Sequence, residues 1–250
     1  MGHVTTLHEA SANGHGVIEA SELTVAANQA DASHAVTRVT LVRHGRTAWN
    51  AQTRIQGHVD IALDDVGEWQ AQRVAESLRD EDVHAIYSSD LARARHTAAP
   101  LAQALALDLA VDTGLRERHF GSFEGLTFAQ IDQHHVDDAN RWRTRDPDFA
   151  PSGGETLRHF QARALQAVTR IAAQHAGAHI VVVTHGGVLD AMYRAGSRIA
   201  IDAPRSWHIG NASIHRMLLT EQGWTVVGWN DEFHLDAGDE AALSLTSGGS

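Results

Sequence analysis

The stretch HIVVVTHGG, residues 179 to 187, is the most strand-like run in the chain. Residues 180 to 183 are all apolar and β-branched, which favours a β-strand. A continuous apolar run without alternating polar residues is typical of a strand buried on both faces of a parallel sheet. The run ends in His185 and two glycines. We therefore predict a largely parallel sheet with a histidine at the carboxyl end of one buried strand.

Strand and helix patterns alternate on both sides of this run. The predicted strands are residues 37–43, 85–87 and 109–111. The predicted helices are residues 66–79, 90–106 and 155–175. The helices carry apolar residues at positions i, i+3, i+4 and i+7. Residues 213–220 and 224–229 have the pattern of a hairpin at one sheet edge. This order predicts a three-layer α/β/α fold with a mostly parallel central sheet.

The two ends of the chain differ in composition from the middle. Residues 1–36 are rich in Ala, Ser, His and Gly and contain no arginine. They have neither the apolar centre of a secretory signal nor the arginines of a mitochondrial presequence, so we predict a mobile N-terminal extension. Residues 236–250 are predicted to form a flexible tail. Residues 37–235 are long enough for one domain with a buried core.

The overall composition excludes several classes of function. The 250 residues include 20 basic residues, all arginine, against 31 acidic ones, and the formal net charge is −11. This balance argues against a nucleic-acid or anionic-membrane partner. Without lysine there is no Schiff-base or P-loop lysine, and without cysteine there is no disulfide or thiolate nucleophile. The lack of cysteine fits a reducing compartment, so we expect a cytoplasmic protein.

Polar residues follow the ends of the predicted strands. In open α/β sheets the chemistry lies beyond the carboxyl ends of the strands. This rule brings together residues 43–45, 88–93, 116–117 and 184–186. Taken alone, Arg93 is expected to be a solvated arginine at a helix start. Two histidines and two arginines at one sheet edge would repel each other without an anion, however, and a phosphoryl group would supply it.

Six ordered motifs carry a resemblance to a known family. The tripeptide Arg43-His44-Gly45 lies within RHGRTAWN and is followed by RIQGHVDIALDDVG, YSSDLARARHTA, LRERHFGSFEG, SGGET and VVVTHGG. In these motifs residues 37–235 resemble the histidine phosphatase superfamily, which includes phosphoglycerate mutase-like enzymes. The resemblance implies a phosphoglycerate mutase-like fold and a phosphohistidine intermediate. It implies no metal and no other cofactor.

The resemblance also implies a role for individual residues. His44 would be the nucleophile that attacks phosphorus. Arg43, Arg93 and His185 would surround the non-bridging oxygens and stabilise the charge of the transition state. Glu117 would protonate the leaving oxygen and then activate water.

Four further residues are expected to bind the substrate. The resemblance implies that Asn50, Gln56 and the amide of Gly57 complete the phosphate pocket. Gly186, directly after His185, allows a tight turn that brings backbone N–H groups close to an anion. The sequence identifies only the phosphate end of the substrate and indicates no oligomeric state.

These observations leave three functions open. We predict a metal-independent phosphomonoesterase that acts on a small phosphorylated metabolite. The first alternative is a phosphoglycerate mutase, which returns the phosphoryl group to another substrate hydroxyl. The second is a non-catalytic module that binds a phosphorylated ligand. A mutase would have to shield its intermediate from water, and the cluster at residues 141–145, RWRTR, could contribute to such a lid. We expect its arginines to be solvated instead.

The histidines outside the motifs could suggest a metal site. His134 and His135 adjoin Asp137 and Asp138, and the remaining candidates lie in the N-terminal extension, at His3, His8, His15 and His34. None of these spacings places two histidines at i, i+4 with an acid between them. We therefore expect no metal catalysis.

Overall fold

A six-stranded sheet forms the middle layer of the computed structural model, which describes residues 1–2 and 35–236. Its strands are β1 (Thr37–Arg43), β2 (Ala85–Ser88), β3 (Leu109–Val111), β4 (His179–Thr184), β5 (Ile214–Thr220) and β6 (Gly223–Asp231). Their order across the sheet is β3-β2-β4-β1-β5-β6. The first four run parallel, whereas β5 and β6 form an antiparallel hairpin at the edge. The predicted sheet is confirmed.

Helices cover both faces of the sheet. They are α1 (Ala48–Ala51), α2 (Asp65–Leu78), α3 (Ala92–Leu105), α4 (Phe128–His134), α5 (Val136–Arg143), α6 (Leu157–Ala173), α7 (Gly186–Ser197) and α8 (Phe233–Asp236). Helices α2, α3 and α6 match the predicted ones within two residues at each end. The sequence does not predict α7, because it begins with two glycines, which are poor helix formers. None of the helices in the described part of the chain is long and apolar enough to cross a membrane.

Alternate side chains of β4 enter two different cores. Ile180 and Val182 pack with α6 and α7, whereas Val181 and Val183 pack with α2 and α3. All four side chains are fully buried, and burial of each contributes about 1.5–3 kcal/mol. A polar residue at any of these positions would lose this contribution, which explains the unbroken apolar run. The three-layer architecture is therefore confirmed.

A third, smaller core lies in the segment between β3 and α6. Phe123, Ile131, Ala139 and Phe149 pack there against Ile55. We call residues 120–149, which contain α4 and α5, the cap segment. Backbone hydrogen bonds tie the cap segment to the chain that follows β1, where the Ile55 N–H donates to the Leu126 carbonyl at 2.9 Å.

Most residues of the predicted terminal segments lie outside the described residues. The first strand begins at Thr37 and the last helix ends at Asp236. The predictions of a mobile extension over residues 1–36 and of a flexible tail over residues 236–250 stay predictions.

Candidate active site

A cavity of about 500 Å³ opens where the parallel strands end. The predicted site residues that line it are Arg43, His44, Asn50, Gln56, Gly57, Arg93, Glu117 and Gly186. His185 is not part of the cavity wall, but its ring centroid lies 5.2 Å from that of His44. The structure thus brings the predicted site residues together around one cavity.

His44 is fixed as a neutral imidazole with one free nitrogen. Its backbone N–H donates to the Thr184 carbonyl at 2.9 Å, which joins the ends of β1 and β4. Its Nδ1 lies 2.7 Å from the Gly45 carbonyl. Because a carbonyl only accepts, Nδ1 carries the hydrogen and Nε2 keeps its lone pair. Burial, and then the charges of Arg93 and Arg43, hold the His44 pKa well below its usual 6.5.

Backbone carbonyls hold two arginines of the site, the half-buried Arg43 and the fully buried Arg93. Arg43 donates from Nη1 to the Ile209 carbonyl at 2.7 Å. Arg93 donates from Nη1 to Val59 at 2.9 Å and from Nη2 to Gly57 at 2.7 Å. For both arginines, Nε is buried and has no hydrogen-bond partner among the described residues. Carbonyls orient the guanidinium groups without neutralising their charge.

Arg93, which taken alone would be expected to be solvated at a helix start, is buried, as its predicted place in the site requires. Its side chain is 0% exposed, because the residues around Gly57 and Val59 cover the start of α3. Burial lowers the Arg93 pKa to about 10, which still leaves the group protonated at neutral pH. Burial also lowers the Arg43 pKa.

His185 lies at the junction between β4 and α7. It is fully buried, and neither ring nitrogen has a hydrogen-bond partner within residues 35–236. Burial, and then the charges of Arg93 and His44, hold its pKa well below 6.5. An unpaired buried nitrogen costs roughly 1–3 kcal/mol. Such a cost is typical of a group that pairs with a ligand.

Both carboxylate oxygens of Glu117 accept backbone hydrogen bonds. The N–H of Arg118 donates to Oε1 at 2.8 Å, and the N–H of Gly187 donates to Oε2 at 3.0 Å. The first turn of a helix has free N–H groups, so Glu117 also caps α7. The Glu117 carbonyl accepts from His58 Nε2 at 2.8 Å and from Arg163 Nη2 at 3.2 Å. Contacts at both ends of the residue keep the acid in one position.

Gly187 is the glycine that leaves room for the Glu117 carboxylate. A Cβ at Gly187 would lie 2.1 Å from Glu117 Oε1 and 2.9 Å from Phe160. A Cβ at Gly186 would lie 3.6 Å from Arg43 Nε, which is an ordinary contact. From the sequence, Gly186 has a predicted role and Gly187 has none. The repeated glycine in THGG is the signal that could have identified the second position.

The other predicted binding residues lie on the cavity wall. Gln56 is mostly buried, and its Oε1 has no partner among the described residues. Gly57 has a φ of 53°, a conformation that favours glycine, and its carbonyl holds Arg93. Asn50 completes the capping box of α1 with Thr47.

The cap segment supplies part of the outer wall. Trp142 and Arg145 line the cavity, so the expectation of solvated arginines is wrong for Arg145. It is right for Arg141 and Arg143, which are exposed and paired with acids. Arg145 is held by Asp190 of α7, at 2.9 Å from Nη2 to Oδ2. Its position depends on how the cap segment packs on the sheet, which a linear motif does not reveal.

Arg118 is the most buried cation of this outer wall. It is 4% exposed and donates to two carbonyls, Glu155 at 3.0 Å and Phe149 at 2.8 Å. Burial lowers its pKa to about 10. Arg205 is an exposed arginine of the same wall.

The possible metal ligands considered from sequence do not converge. Among the described residues, no group of three or more His, Asp or Glu residues could hold a metal ion. The ring of His135 packs against Phe123, with centroids 5.3 Å apart. The histidines at positions 3, 8, 15 and 34 lie outside the described residues.

Known proteins are similar to this chain in both sequence and fold. The model of the histidine phosphatase superfamily (branch 1) matches residues 39–232. The chain is 39% identical over 202 residues to phosphoglycerate mutase-like protein 4 of Arabidopsis thaliana, which covers 79% of this chain and 86% of that relative. It is 38% identical over 205 residues to the metal-independent phosphoserine phosphatase of Arabidopsis thaliana, covering 81% of this chain and 84% of the relative. The solved phosphoserine phosphatase of Entamoeba histolytica, in complex with 3-phosphoglyceric acid, has a TM-score of 0.72 and 26% identity, covering 80% of this chain and 99% of that one.

Proposed function

The chain belongs to the histidine phosphatase superfamily, and on this basis we propose that it hydrolyses small phosphomonoesters through a phosphohistidine on His44. The observation that carries the proposal is a set of unpaired buried nitrogens. Arg43, Arg93 and His185 each have one or two such nitrogens, on the basis of the described residues, and all three lie around His44. An anion with several oxygens would satisfy them, and a phosphoryl group is such an anion.

The first step transfers the phosphoryl group to the enzyme. The free Nε2 of His44 attacks phosphorus while the bond from phosphorus to the leaving oxygen breaks. The carboxyl of Glu117 gives its proton to that oxygen. Arg43 and Arg93 stabilise the charge on the non-bridging oxygens, and their fixed carbonyl contacts mean that they need no reorganisation.

His185 has a role that depends on charge. Its lowered pKa makes it neutral in the free enzyme, where one ring nitrogen carries a hydrogen that has no acceptor among the described residues. A doubly negative phosphoryl group beside it favours the protonated imidazolium, because an opposite charge favours the charged form. Binding of the substrate therefore strengthens the hydrogen bond between His185 and the phosphoryl group.

The second step releases phosphate. The Glu117 carboxylate takes a proton from water, and the oxygen of that water attacks phosphorus. The bond between phosphorus and His44 Nε2 breaks, and the neutral imidazole returns. Two half-reactions with one acid-base group thus complete the hydrolysis without a metal ion.

The outer wall of the cavity favours a leaving group that carries a carboxylate. Arg118, Arg145 and Arg205 line this wall beyond the phosphate end. Arg118 has no contact with a carboxylate among its hydrogen bonds in the described part of the chain. The Entamoeba histolytica relative was solved in complex with 3-phosphoglyceric acid, which carries both groups. This comparison supports the proposal for the present chain.

A substrate screen tests the proposed function. Phosphate release is measured for a panel of phosphomonoesters with and without a chelator. The panel includes 3-phosphoglycerate and glycerol 3-phosphate, which differ by a carboxylate. We expect chelator-insensitive hydrolysis and a kcat/KM at least about tenfold higher for 3-phosphoglycerate, since a hydrogen bond to a charged group contributes roughly 1.5–3 kcal/mol. Loss of all activity on chelation would contradict the mechanism, and equal rates for the pair would contradict the carboxylate preference alone.

A further inference from the structure

The amide orientation of Asn50 is fixed by groups that can only donate. The backbone N–H of Thr47 lies 3.1 Å from one side-chain terminus of Asn50, and a backbone N–H cannot accept. That terminus is therefore the oxygen, Oδ1. The hydroxyl of Thr47 accepts a hydrogen bond from the backbone N–H of Asn50 and donates its own hydrogen to the same Oδ1, both at 3.1 Å.

A second amide completes this arrangement from the loop before β5. The Asn211 side-chain nitrogen lies 3.3 Å from Asn50 Oδ1, 3.2 Å from the His44 carbonyl and 3.3 Å from the Gly45 carbonyl. All three neighbours are acceptors, so the group between them is the Asn211 NH₂. Asn211 lies outside the motifs that predict the site residues.

We propose that Asn211 is a positioning residue that turns the Asn50 amide so that its NH₂ group faces the phosphoryl group. This inference rests on the proposed function, in which Asn50 binds phosphate. With Oδ1 held by Thr47 and Asn211, the NH₂ group of Asn50 is the part left for the cavity that Asn50 lines. A donor in this position stabilises an anion, whereas an exposed Oδ1 would repel it.

The same nitrogen of Asn211 also contacts the backbone of the nucleophile. The Gly45 carbonyl accepts the Nδ1–H of His44, and it is one of the acceptors that Asn211 contacts. The backbone N–H of Ala212 donates to the His44 carbonyl at 3.2 Å, so this loop is already attached to His44 without the Asn211 side chain. Loss of the side chain should therefore affect orientation more than folding.

Two substitutions of Asn211 have different expected effects. Asn211→Ala removes a donor, and the Thr47 contacts still hold Asn50. Asn211→Asp has nearly the same shape but places a carboxylate against three acceptors. The Asn50 amide then gains by reversing, so that its NH₂ group faces Asp and its oxygen faces the substrate. We expect kcat/KM to fall about tenfold for Asn211→Ala and about 100-fold or more for Asn211→Asp, because loss of one oxyanion donor costs roughly 10²–10³ in rate.

The test is a mutant cycle with Asn50→Ala, read out as kcat/KM for p-nitrophenyl phosphate. If Asn211 acts through Asn50, the difference between Asn211→Ala and Asn211→Asp should shrink to about threefold or less in the Asn50→Ala background, since coupled residues are not additive. The added negative charge of Asp is present in both backgrounds. A difference that persists in the Asn50→Ala background would show that charge alone causes it, and would overturn the proposal.

Asn230→Ala is the matched control for loosening of the loop. The Asn230 side chain accepts from the Gly210 N–H at 2.8 Å and so ties the same loop to β6, and its φ of 53° makes alanine strained there. We expect kcat/KM within about threefold of wild type for this variant, because the Asn230 side chain bonds to Gly210 and Glu232 and to none of the site residues. An equal loss for Asn230→Ala and Asn211→Ala would make the role of Asn211 merely structural. Thermal unfolding of each variant checks that the fold is retained.

Failure of this inference is distinguishable from failure of the proposed function. If wild type forms a phosphohistidine and Asn211→Ala is as active as wild type, only the positioning role is wrong. If wild type forms no phosphohistidine, the proposed function is wrong, whatever the Asn211 variants do. If Asn50→Ala alone has no effect, Asn50 does not bind the phosphoryl group, and the positioning proposal is overturned with it.

Discussion

Glu117 and Gly187 are joined by a hydrogen bond of 3.0 Å from the backbone N–H of the glycine to the carboxylate of the acid. The glycine is the second residue of the helix that follows His185. One short junction therefore holds two groups of the site, a buried histidine on one side and the proposed proton donor on the other. A substitution at the start of α7 should therefore change the position of the Glu117 carboxylate.

The first prediction concerns Gly187→Ala. The new Cβ would lie 2.1 Å from Glu117 Oε1, so the carboxylate must move. We expect kcat to fall by about 100-fold, since general acid-base catalysis contributes about 10²–10⁴. Steady-state kinetics on an alkyl phosphate measures this. Gly228→Ala is the control, because its Cβ would be 3.8 Å from the Arg216 Cβ. Comparable kinetics for the two variants would mean that Gly187 does not position the acid.

The second prediction is that His44→Ala loses turnover by more than about 10³-fold, because it lacks the nucleophile of both half-reactions. Rapid alkaline quenching of wild type with ³²P-labelled substrate should trap a label that is stable to base and is then lost on treatment with acid. Peptide mapping should place that label on His44. Label on any other residue would refute the assignment of the nucleophile.

The third prediction separates proton donation from other roles of Glu117. Glu117→Gln keeps the shape of the side chain but has no acidic proton to give. Alkyl phosphates need that proton on the leaving oxygen, whereas p-nitrophenolate leaves without it. We expect the rate of phosphoenzyme formation, measured as the burst phase, to fall by about 10²–10⁴ for alkyl phosphates and far less for p-nitrophenyl phosphate. If both classes slow equally, another group donates the proton.

The fourth prediction is a pH dependence of stability from buried histidines. Burial, and then the charge of Arg43, lower the pKa of His215 to about 3, against the opposing charge of Asp231. In the unfolded state His215 has a pKa near 6.5, so below that pH the unfolded chain binds a proton that the folded chain does not bind. The free energy of unfolding is therefore highest above about pH 6.5 and decreases as the pH falls from about 6.5 to 3.

Each such histidine can contribute a slope of about 1.4 kcal/mol per pH unit in that range. Urea unfolding at pH 7, 6, 5 and 4 measures the slope. His215→Gln should have a lower stability at pH 7 and a flatter pH dependence than wild type. An unchanged slope in this variant would show that His215 is not one of the groups responsible.

The fifth prediction distinguishes the hydrolase from a mutase. Arg145 and Trp142 bring the cap segment to the cavity, but the exposed Arg141 and Arg143 do not contribute to an enclosure of the phosphoenzyme. We expect release of inorganic phosphate from 3-phosphoglycerate and negligible interconversion of 2- and 3-phosphoglycerate, even with the bisphosphorylated primer. Coupled enzyme assays measure both rates. Mutase turnover clearly above phosphate release would reverse this conclusion.

The sheet was predictable because local sequence and tertiary environment agree there. Ile180 to Val183 face two apolar layers, so no polar residue interrupts the pattern, and a parallel sheet follows. The strand-end rule then places His44 and His185 at one edge without any knowledge of side-chain packing. Both histidines lie at that edge, with ring centroids 5.2 Å apart.

Other features depend on packing between distant segments. Arg93 is buried by residues around position 57, and Arg145 reaches the cavity because Asp190 holds it. The start of α7 was missed because glycine propensity conceals a helix that tertiary contacts stabilise. Asn211 lies 161 residues from Asn50 in the chain, and nothing in the motifs relates the two. The cytoplasmic location stays a prediction.

The carbonyls of Gly57 and Val59 hold Arg93 where a carboxylate would be the more stable partner. A carboxylate there would neutralise the guanidinium and compete with the substrate for it. The fold instead leaves the buried Nε of Arg93 without a partner among the described residues, and a bound anion would supply one. Stability of the fold alone therefore gives no reason for an arginine at this position, so the presence of Arg93 indicates a requirement for anion binding.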